Sequence, residues 1–374
     1  MRAPGTGQEP VDLLVVGGSF AGLVCARRAA ELGLRVVVLE RKPDPGARVH
    51  TTGIAVREAM DEIALPPALV REIPGVRVYT PNLRQIDLNS PGYRFFATDT
   101  PEVMRWLAGQ ATAAGAQLLL GTAFRGAEFS DGLWRLEGLD VRARYLVGAD
   151  GARSMVARAL GLGRNTRHLV GVEAEFAGIE GLAQDRLHCF VNSHWAPGYI
   201  AWAVPGVGVT QVGLACRHGH KPALGPLVEA LAGLADFRNA RVVGRRSGII
   251  PVGGPVQPIH APGVCLVGDA AGMVSPLTAG GIHPAFRQGR HLAELVAAHL
   301  DDPAAVPDPG LALAAGAPRY RWKGLMRRMF DLDPPNWLYN LTLGLAPTRA
   351  FSRLVYFHHK GFASRAAWRE LFRR

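Results

Sequence analysis

Two glycine-bearing segments, about 250 residues apart, constrain this chain more than any other feature. The first is Val11-Asp12-Leu13-Leu14-Val15-Val16-Gly17-Gly18-Ser19-Phe20-Ala21-Gly22, and the apolar run that follows it closes on Glu40. The second is Val264-Cys265-Leu266-Val267-Gly268-Asp269-Ala270-Ala271, followed by Pro276 and Gly280-Gly281-Ile282. A buried strand that runs through glycines into a helix aims free backbone N–H groups at a phosphate. One such segment is a weak dinucleotide signal. Both, in this order, predict one flavin adenine dinucleotide (FAD) gripped along its whole length.

Each position in these segments has a physical task. Gly17 permits the tight turn out of the first strand, position 19 lets backbone approach the pyrophosphate, and Gly22 lets helix pack close to strand. Ser19 stands where a second glycine is usual; it is small, and its hydroxyl can donate to a phosphate oxygen. Glu40 ends the second strand at the distance suited to ribose hydroxyls and disfavours a 2′-phosphate. Asp269, at a strand end, is suited to the ribityl hydroxyls. Gly280-Gly281-Ile282 starts a helix whose first N–H groups are expected to face the flavin's pyrimidine end. A helix N-terminus stabilises the negative charge of reduced flavin by roughly 0.3 to 2 kcal/mol. Pro276 fixes the loop between.

The hydrophobic periodicity predicts an α/β chain. A strand at 13–16, a helix at 21–32 stopped by Gly33 and a strand at 35–39 form an opening β-α-β unit. Thr100-Pro101-Glu102 reads as a helix start, running to about residue 114 and stopping at Gly115. Strands follow at 117–120, 123–129, 134–137 and 141–147, then Gly148-Ala149-Asp150-Gly151 and a helix capped by Ser154. Residues 172–176, 187–191, 199–204 and 211–215 read as a separate sheet, 222–235 as helix and 282–300 as a long helix. The stretch 43–101, rich in Pro, Gly and Arg, carries no clear period. The expected organisation is a Rossmann-like FAD-binding domain in three parts (1–80, 81–165 and 241–300), an inserted antiparallel-sheet substrate domain (166–240), and a linker with a helical basic tail (301–374).

With 48% hydrophobic and 20% charged residues, the chain can build a sizeable core. The first ten residues are polar and do not read as a secretory signal, and no apolar run is long enough to span a bilayer. Cys25, Cys189, Cys216 and Cys265 are scattered, as in a reduced cytosolic protein, and no metal motif is present. Of the net charge of +11, residues 319–374 supply +9, from twelve Lys/Arg and three Asp/Glu. Trp322, Leu325, Met326, Met329, Phe330, Trp337, Leu338 and Tyr339 are interleaved with these charges. That mixture fits either a solvated surface helix or an anionic membrane surface, and not nucleic acid. A cytoplasmic location, peripheral at the inner face of the membrane if the tail meets lipid, is the expectation.

The residues quoted above resemble the para-hydroxybenzoate hydroxylase superfamily of flavoproteins, and within it the geranylgeranyl reductase family. The run from Gly268 through Pro276 to Ile282 is similar to that family's second FAD motif. Val147-Gly148-Ala149-Asp150-Gly151-Ala152-Arg153-Ser154 is similar to the superfamily's Asp-Gly motif, and Gly248-Ile249-Ile250-Pro251 to the strand that enters the second motif. The resemblance covers residues 11–300. It implies cofactor contacts at Gly17, Ser19, Ala21, Gly22, Glu40, Arg41, Gly53, Phe124, Asp150, Gly151, Gly268, Asp269, Pro276, Gly280, Gly281 and Ile282. Pro197-Gly198-Tyr199-Ile200-Ala201-Trp202-Ala203-Val204-Pro205 resembles the family's prenyl-lining strand, which makes Tyr199 and Trp202 the candidate substrate contacts. Tyr199 sits one place early, so strand alternation would turn it to the other face.

Two departures accompany the likeness. The loop His50-Thr51-Thr52-Gly53-Ile54 lacks the cysteine often found there in the family, and Thr100 stands where the family has an arginine. His50, Tyr199, Trp202 and His283 are the candidate catalytic side chains, with no assignment among them. The activity implied is hydride transfer from FAD, reduced by NAD(P)H or another donor, to a carbon–carbon double bond of an isoprenoid or lipid-like substrate. The same scaffold also leaves open an aromatic monooxygenase or halogenase, and a non-redox cyclase or regulatory flavin-binding protein.

Overall fold

Five parallel strands lie side by side where the sequence places its buried apolar runs. Across the sheet they are Val264–Leu266, Arg142–Gly148, Val11–Val16, Val36–Glu40 and Gln117–Leu120. Leu13, Leu14 and Val15 are fully buried, and every residue of Val36–Glu40 is buried, as a sheet covered on both faces requires. A short strand, His260–Ala261, extends one edge, and an antiparallel hairpin, Ala127–Ser130 with Leu133–Leu136, joins Arg142–Gly148.

The computed structural model describes residues 9–357, which divide into two compact units. The sheet above belongs to the first, which takes the chain up to Arg48, then Pro101–Arg167 and Pro251–Tyr320. Its helices Phe20–Glu31 and Ile282–Asp301 pack against each other because Gly289 has no side chain; a Cβ there would lie 2.4 Å from the Ala21 carbonyl oxygen. The helix Thr100–Ala113 ends at Gly115, whose φ of 109° admits glycine readily. The strand expected over 123–129 forms only over Ala127–Ser130. Phe124 instead drops into the apolar core beside Trp134 and Leu136.

The second unit holds Val49–Thr100, His168–Ile250 and the described residues from Arg321 to Phe357. Its seven-stranded sheet runs, edge to edge, Arg241–Pro251, His168–Ala177, Thr210–Arg217, Ala201–Pro205, Arg186–Phe190, Gly75–Tyr79 and Gln85–Asn89. A small sheet of Ile54–Val56, Phe95–Thr98 and Val70–Ile73 accompanies it. One face of the large sheet buries Ala174, Phe176, Val212 and Leu214 with Leu227 and Leu231 of the helix Gly225–Ala232. On the other, Val76, Val78, Cys189 and Val204 pack with Phe95 and Phe357.

The expected domain boundaries need correction. Residues 49–100 and 241–250 belong to the second unit. Gly75–Tyr79 pairs in parallel with Arg186–Phe190, about 110 residues away, and Arg241–Pro251 edges the same sheet. Such non-local pairing leaves no periodic trace in an irregular stretch. The expected linker and tail also split, with the helix Pro309–Ala315 in the first unit and the helices Arg321–Asp331, Asn336–Thr342 and Ala346–Tyr356 in the second. The remainder of the basic tail, 358–374, lies outside the described residues.

Candidate active site

Three loops leave the C-terminal ends of three adjacent parallel strands, Val11–Val16, Arg142–Gly148 and Val264–Leu266. They carry the three glycine motifs. In open parallel sheets this edge is where ligands bind. The Ala149 amide donates to the Val16 carbonyl (2.8 Å) and the Val267 amide to the Gly148 carbonyl (2.9 Å), so the motif loops are laced together. Gly17 has φ 108°, and a Cβ on it would lie 2.4 Å from the Ala149 carbonyl oxygen. A Cβ on Gly22 would lie 2.0 Å from the Gly17 carbonyl oxygen. Only glycine fits either place.

Ser19 begins the helix Phe20–Glu31 in extended backbone, exposed and with no side-chain cap bond, so no side chain caps the first amides of that helix. Glu40 is 6% exposed; its carboxylate accepts from the Gly18 amide at 2.7 Å and the Lys42 amide at 2.9 Å. Each oxygen keeps a second lone pair for a hydroxyl. Arg41 is exposed, and Ala21 is buried under the turn. Burial lowers the pKa of neighbouring Lys42, against the pull of Glu40.

Asp150 is drawn inward. It accepts from the Ser154 hydroxyl (2.6 Å) and from the amides of Met155 (2.6 Å) and Val156 (3.1 Å), capping the short helix Met155–Ala159. Burial raises its pKa against those donors. Gly151, at φ 85°, turns the chain beside it. Asn165, which sequence reasoning missed, donates to the carbonyls of Asp269 (2.8 Å) and Ala152 (3.2 Å), joining the second and third motif loops. A lone Asn between arginines carries no motif, so nothing marked it.

Asp269 differs from Asp150. Among the described residues no group donates to its carboxyl, and burial pushes its pKa up to about 6. A Cβ on Gly281 would stand 3.2 Å from Asp269 Oδ1, so the glycine keeps the carboxylate's surroundings open. Gly268, at φ 59°, brings its backbone against Ala21. Pro276 is buried in the loop and Gly280 is exposed. Gly281 opens the 20-residue helix Ile282–Asp301 with no side-chain cap. His283, half-buried, is in the first turn of this helix. Free helix N-termini, a carboxylate without a donor and glycines that no other residue can replace form the set of groups that a dinucleotide needs. The Phe124 side chain lies in the apolar core cluster that also takes in Val16, Leu39 and Ala270.

The remaining candidates are in the second unit. His50 is exposed, and its Nδ1 bonds the Ser247 carbonyl at 2.8 Å. Gly53 has φ 81°, and a Cβ there would meet Thr100 Oγ1 at 1.9 Å. Thr100, fully buried, thus supports the 51–53 loop instead of supplying the family's arginine. Tyr199 lies in a turn, its amide bonded to the Ala196 carbonyl at 2.9 Å, and the strand begins only at Ala201. Strand alternation therefore does not govern Tyr199. Burial raises its pKa, the guanidinium of Arg327 opposes that rise, and Cys189 is among its neighbours. Cys189 pairs in register with Trp202, on the face that also carries Val204 and Phe357. Also missed was the buried polar cluster of Glu173, Gln211 and Arg246 around Trp202, because polar residues in strand text look like solvent-facing positions. Among the described residues no group of three His, Cys, Asp or Glu is placed to hold a metal.

Comparison with known proteins agrees with this geometry. The FAD binding domain family matches residues 10–213. Digeranylgeranylglycerophospholipid reductase 2 of Methanopyrus kandleri is 30% identical over 315 residues, 78% of each chain. Its namesake from Methanothermobacter thermautotrophicus is 31% identical over 308 residues, 76% of this chain and 77% of that one. The fold superposes on a geranylgeranyl bacteriochlorophyll reductase-like protein from Thermoplasma acidophilum with a TM-score of 0.80 at 21% identity, covering 98% and 96% of the two chains. A flavin-dependent brominase superposes at 0.69 with 17% identity and 93% of each chain. The protein is an FAD-binding flavoprotein and an oxidoreductase. Within that class, it belongs to the digeranylgeranylglycerophospholipid reductase family.

Proposed function

We propose that this protein reduces carbon–carbon double bonds in the prenyl chains of an isoprenoid lipid. The observation that carries the reading is the likeness, over three quarters of the chain, to reductases named for a geranylgeranylated phospholipid. FAD, when bound, supplies the hydride. The chain's part is to hold and orient. Gly17, Ser19 and Gly22 would cradle the pyrophosphate, Glu40 the ribose, Asp269 the ribityl chain, and the N-terminus of Ile282–Asp301 the pyrimidine edge. Tyr199 and Trp202 would line the path of the prenyl chain. Dithionite-reduced enzyme, mixed anaerobically with geranylgeranylated glycerophospholipid, is expected to return to the oxidised flavin spectrum. Reoxidation only by O₂, with an aromatic compound hydroxylated or halogenated, would refute the reading.

We further propose that the chain takes this substrate from an anionic membrane surface. No described helix is long and apolar enough to cross a membrane. Instead, Trp322, Leu325, Met329 and Leu332 recur at helical spacing and are 73%, 49%, 53% and 82% exposed. Trp337, Leu341 and Leu345 form a second stripe, 65%, 62% and 52% exposed. Arg327, on the opposite side of the first helix, is 1% exposed; it donates to the Gly198 carbonyl and pairs with Asp331. The apolar stripe is thus the outward face of an anchored helix. The exposed charges on the helices Arg321–Asp331 and Ala346–Tyr356, Arg321, Arg328, Arg349 and Arg353, are all positive. Outward aromatics among arginines suit an acidic bilayer interface.

A further inference from the structure

The face of the second unit that carries Trp202 also buries an acid. Glu173 on His168–Ala177, Gly213 on Thr210–Arg217 and Trp202 on Ala201–Pro205 form one cross-strand row. Gly213 lets the indole lie flat across the row, since a Cβ there would be 2.6 Å from the ring. Indole Nε1 then donates to Glu173 Oε2 at 2.8 Å. Thr52 Oγ1 donates to the same oxygen at 2.6 Å. Gln211 Nε2 donates to the Thr52 carbonyl at 3.0 Å, and Arg246 to the Thr51 carbonyl at 2.8 Å. Arg246 pairs with Glu175, and its Nη1 stands 3.7 Å from Glu173 Oε1. Glu173 and Gln211 are 4% and 1% exposed. Oε1 of Glu173 has no hydrogen-bond partner, so the carboxyl's hydrogen bonding is spent wholly on Trp202 and Thr52.

A buried acid is costly unless something fixes it, and burial raises the pKa of this one. An apolar residue would fill the same space at lower cost. What only an acceptor can do here is hold two elements at once, the Trp202 strand and the 51–53 loop.

We propose that Glu173 is a positioning residue for the reductase reaction. Through one oxygen it sets the plane of the Trp202 indole and the place of the Thr52 loop, without touching substrate. The proposal rests on the reductase reading above.

The test is a double-mutant cycle on kcat/KM with geranylgeranylated glycerophospholipid, in FAD-loaded enzyme. Glu173→Met keeps the bulk and removes the acceptor; it is expected to lower kcat/KM about tenfold with FAD content unchanged. Glu173→Gln keeps an acceptor for both donors and is expected to stay within about threefold of wild type. In a Trp202→Phe background, Glu173→Met should add less than about threefold. Equal losses in the Gln and Met variants, or an undiminished Met effect in that background, would overturn the proposal. If Glu173→Met does not retain FAD, Thr52→Val replaces it in the cycle; non-additivity with Trp202→Phe supports the proposal and additivity overturns it. A wild type that leaves prenyl lipid untouched would refute the reductase reading instead. The positioning is then judged by the ¹⁵N-tryptophan indole resonance that Trp202→Phe removes. It should move in Glu173→Met, or in Thr52→Val where that variant stands in, and stay in Glu173→Gln; a resonance unmoved by the acceptor or donor loss would overturn it.

Discussion

Glu40 holds the Gly18 amide at 2.7 Å, so the acid that closes the second strand is hydrogen-bonded to the glycine turn that leaves the first. Its other oxygen takes the Lys42 amide at 2.9 Å. One carboxylate thereby fixes the phosphate turn before any ribose is present. Glu40→Gln keeps the shape but can accept through only one of the two atoms. Thermal unfolding of the apoprotein should show a loss of about 1 to 2 kcal/mol. Equilibrium titration should show FAD affinity lowered by about tenfold or more. An unchanged FAD affinity would take Glu40 out of the site.

Asp269 is expected to trade stability for binding. Its carboxyl titrates at about 6 in the fold, against 3.8 for the ordinary group, and burial is the cause. The folded value is the higher one, so the fold favours the protonated acid. That contribution is fully present below the unfolded value and is lost as pH rises through about 6. Apo wild type should therefore lose about 2 kcal/mol relative to apo Asp269→Asn between pH 4 and pH 7, allowing for partial exposure. The same variant should bind FAD more weakly. Denaturant melts at the two pH values check the sign; a wild type that gains on the variant as pH rises would contradict it.

Gly213→Ala places a methyl group where the Trp202 ring lies, 2.6 Å from its atoms. The indole must tilt and leave Glu173. Turnover of prenyl lipid is expected to fall about tenfold or more, while FAD content stays at wild-type level if the motif residues around Gly17, Glu40 and Asp269 hold most of the cofactor. Loss of flavin together with activity would contradict the assignment of separate roles.

The exposed stripes predict vesicle binding. Trp322→Ser with Trp337→Ser should abolish co-flotation with phosphatidylglycerol vesicles and leave the melting temperature within a few degrees, because both side chains are already in solvent. Phosphatidylcholine vesicles and high salt should weaken wild-type binding. Equal flotation with neutral and anionic lipid would remove the arginines from the account.

The nucleotide half of the molecule was legible because its determinants are local. Gly17, Gly22 and Gly268 sit where a left-handed backbone or a neighbouring carbonyl leaves no place for a side chain, and such exclusions leave a trace in single-letter text. The helix cap at Ser154 and the stop at Gly115 were readable for the same reason. The second unit was less so. Its sheet takes Gly75–Tyr79 and Arg241–Pro251 from distant segments, and no periodicity announces which strand each will meet. Tyr199 precedes its strand, which begins at Ala201, so the alternation legible in the sequence does not set its direction. Glu173 and Gln211 escaped notice because a buried acid and a surface acid are written with the same letter; only the row that places Glu173 beside Trp202 tells them apart.

The account is tested most directly by the mass of the lipid product. Reduced enzyme incubated without oxygen should return geranylgeranylated glycerophospholipid heavier by two hydrogens for each double bond consumed, one flavin oxidation per bond. Lipid recovered at unchanged mass while the flavin reoxidises, or product carrying oxygen or halogen, would contradict it.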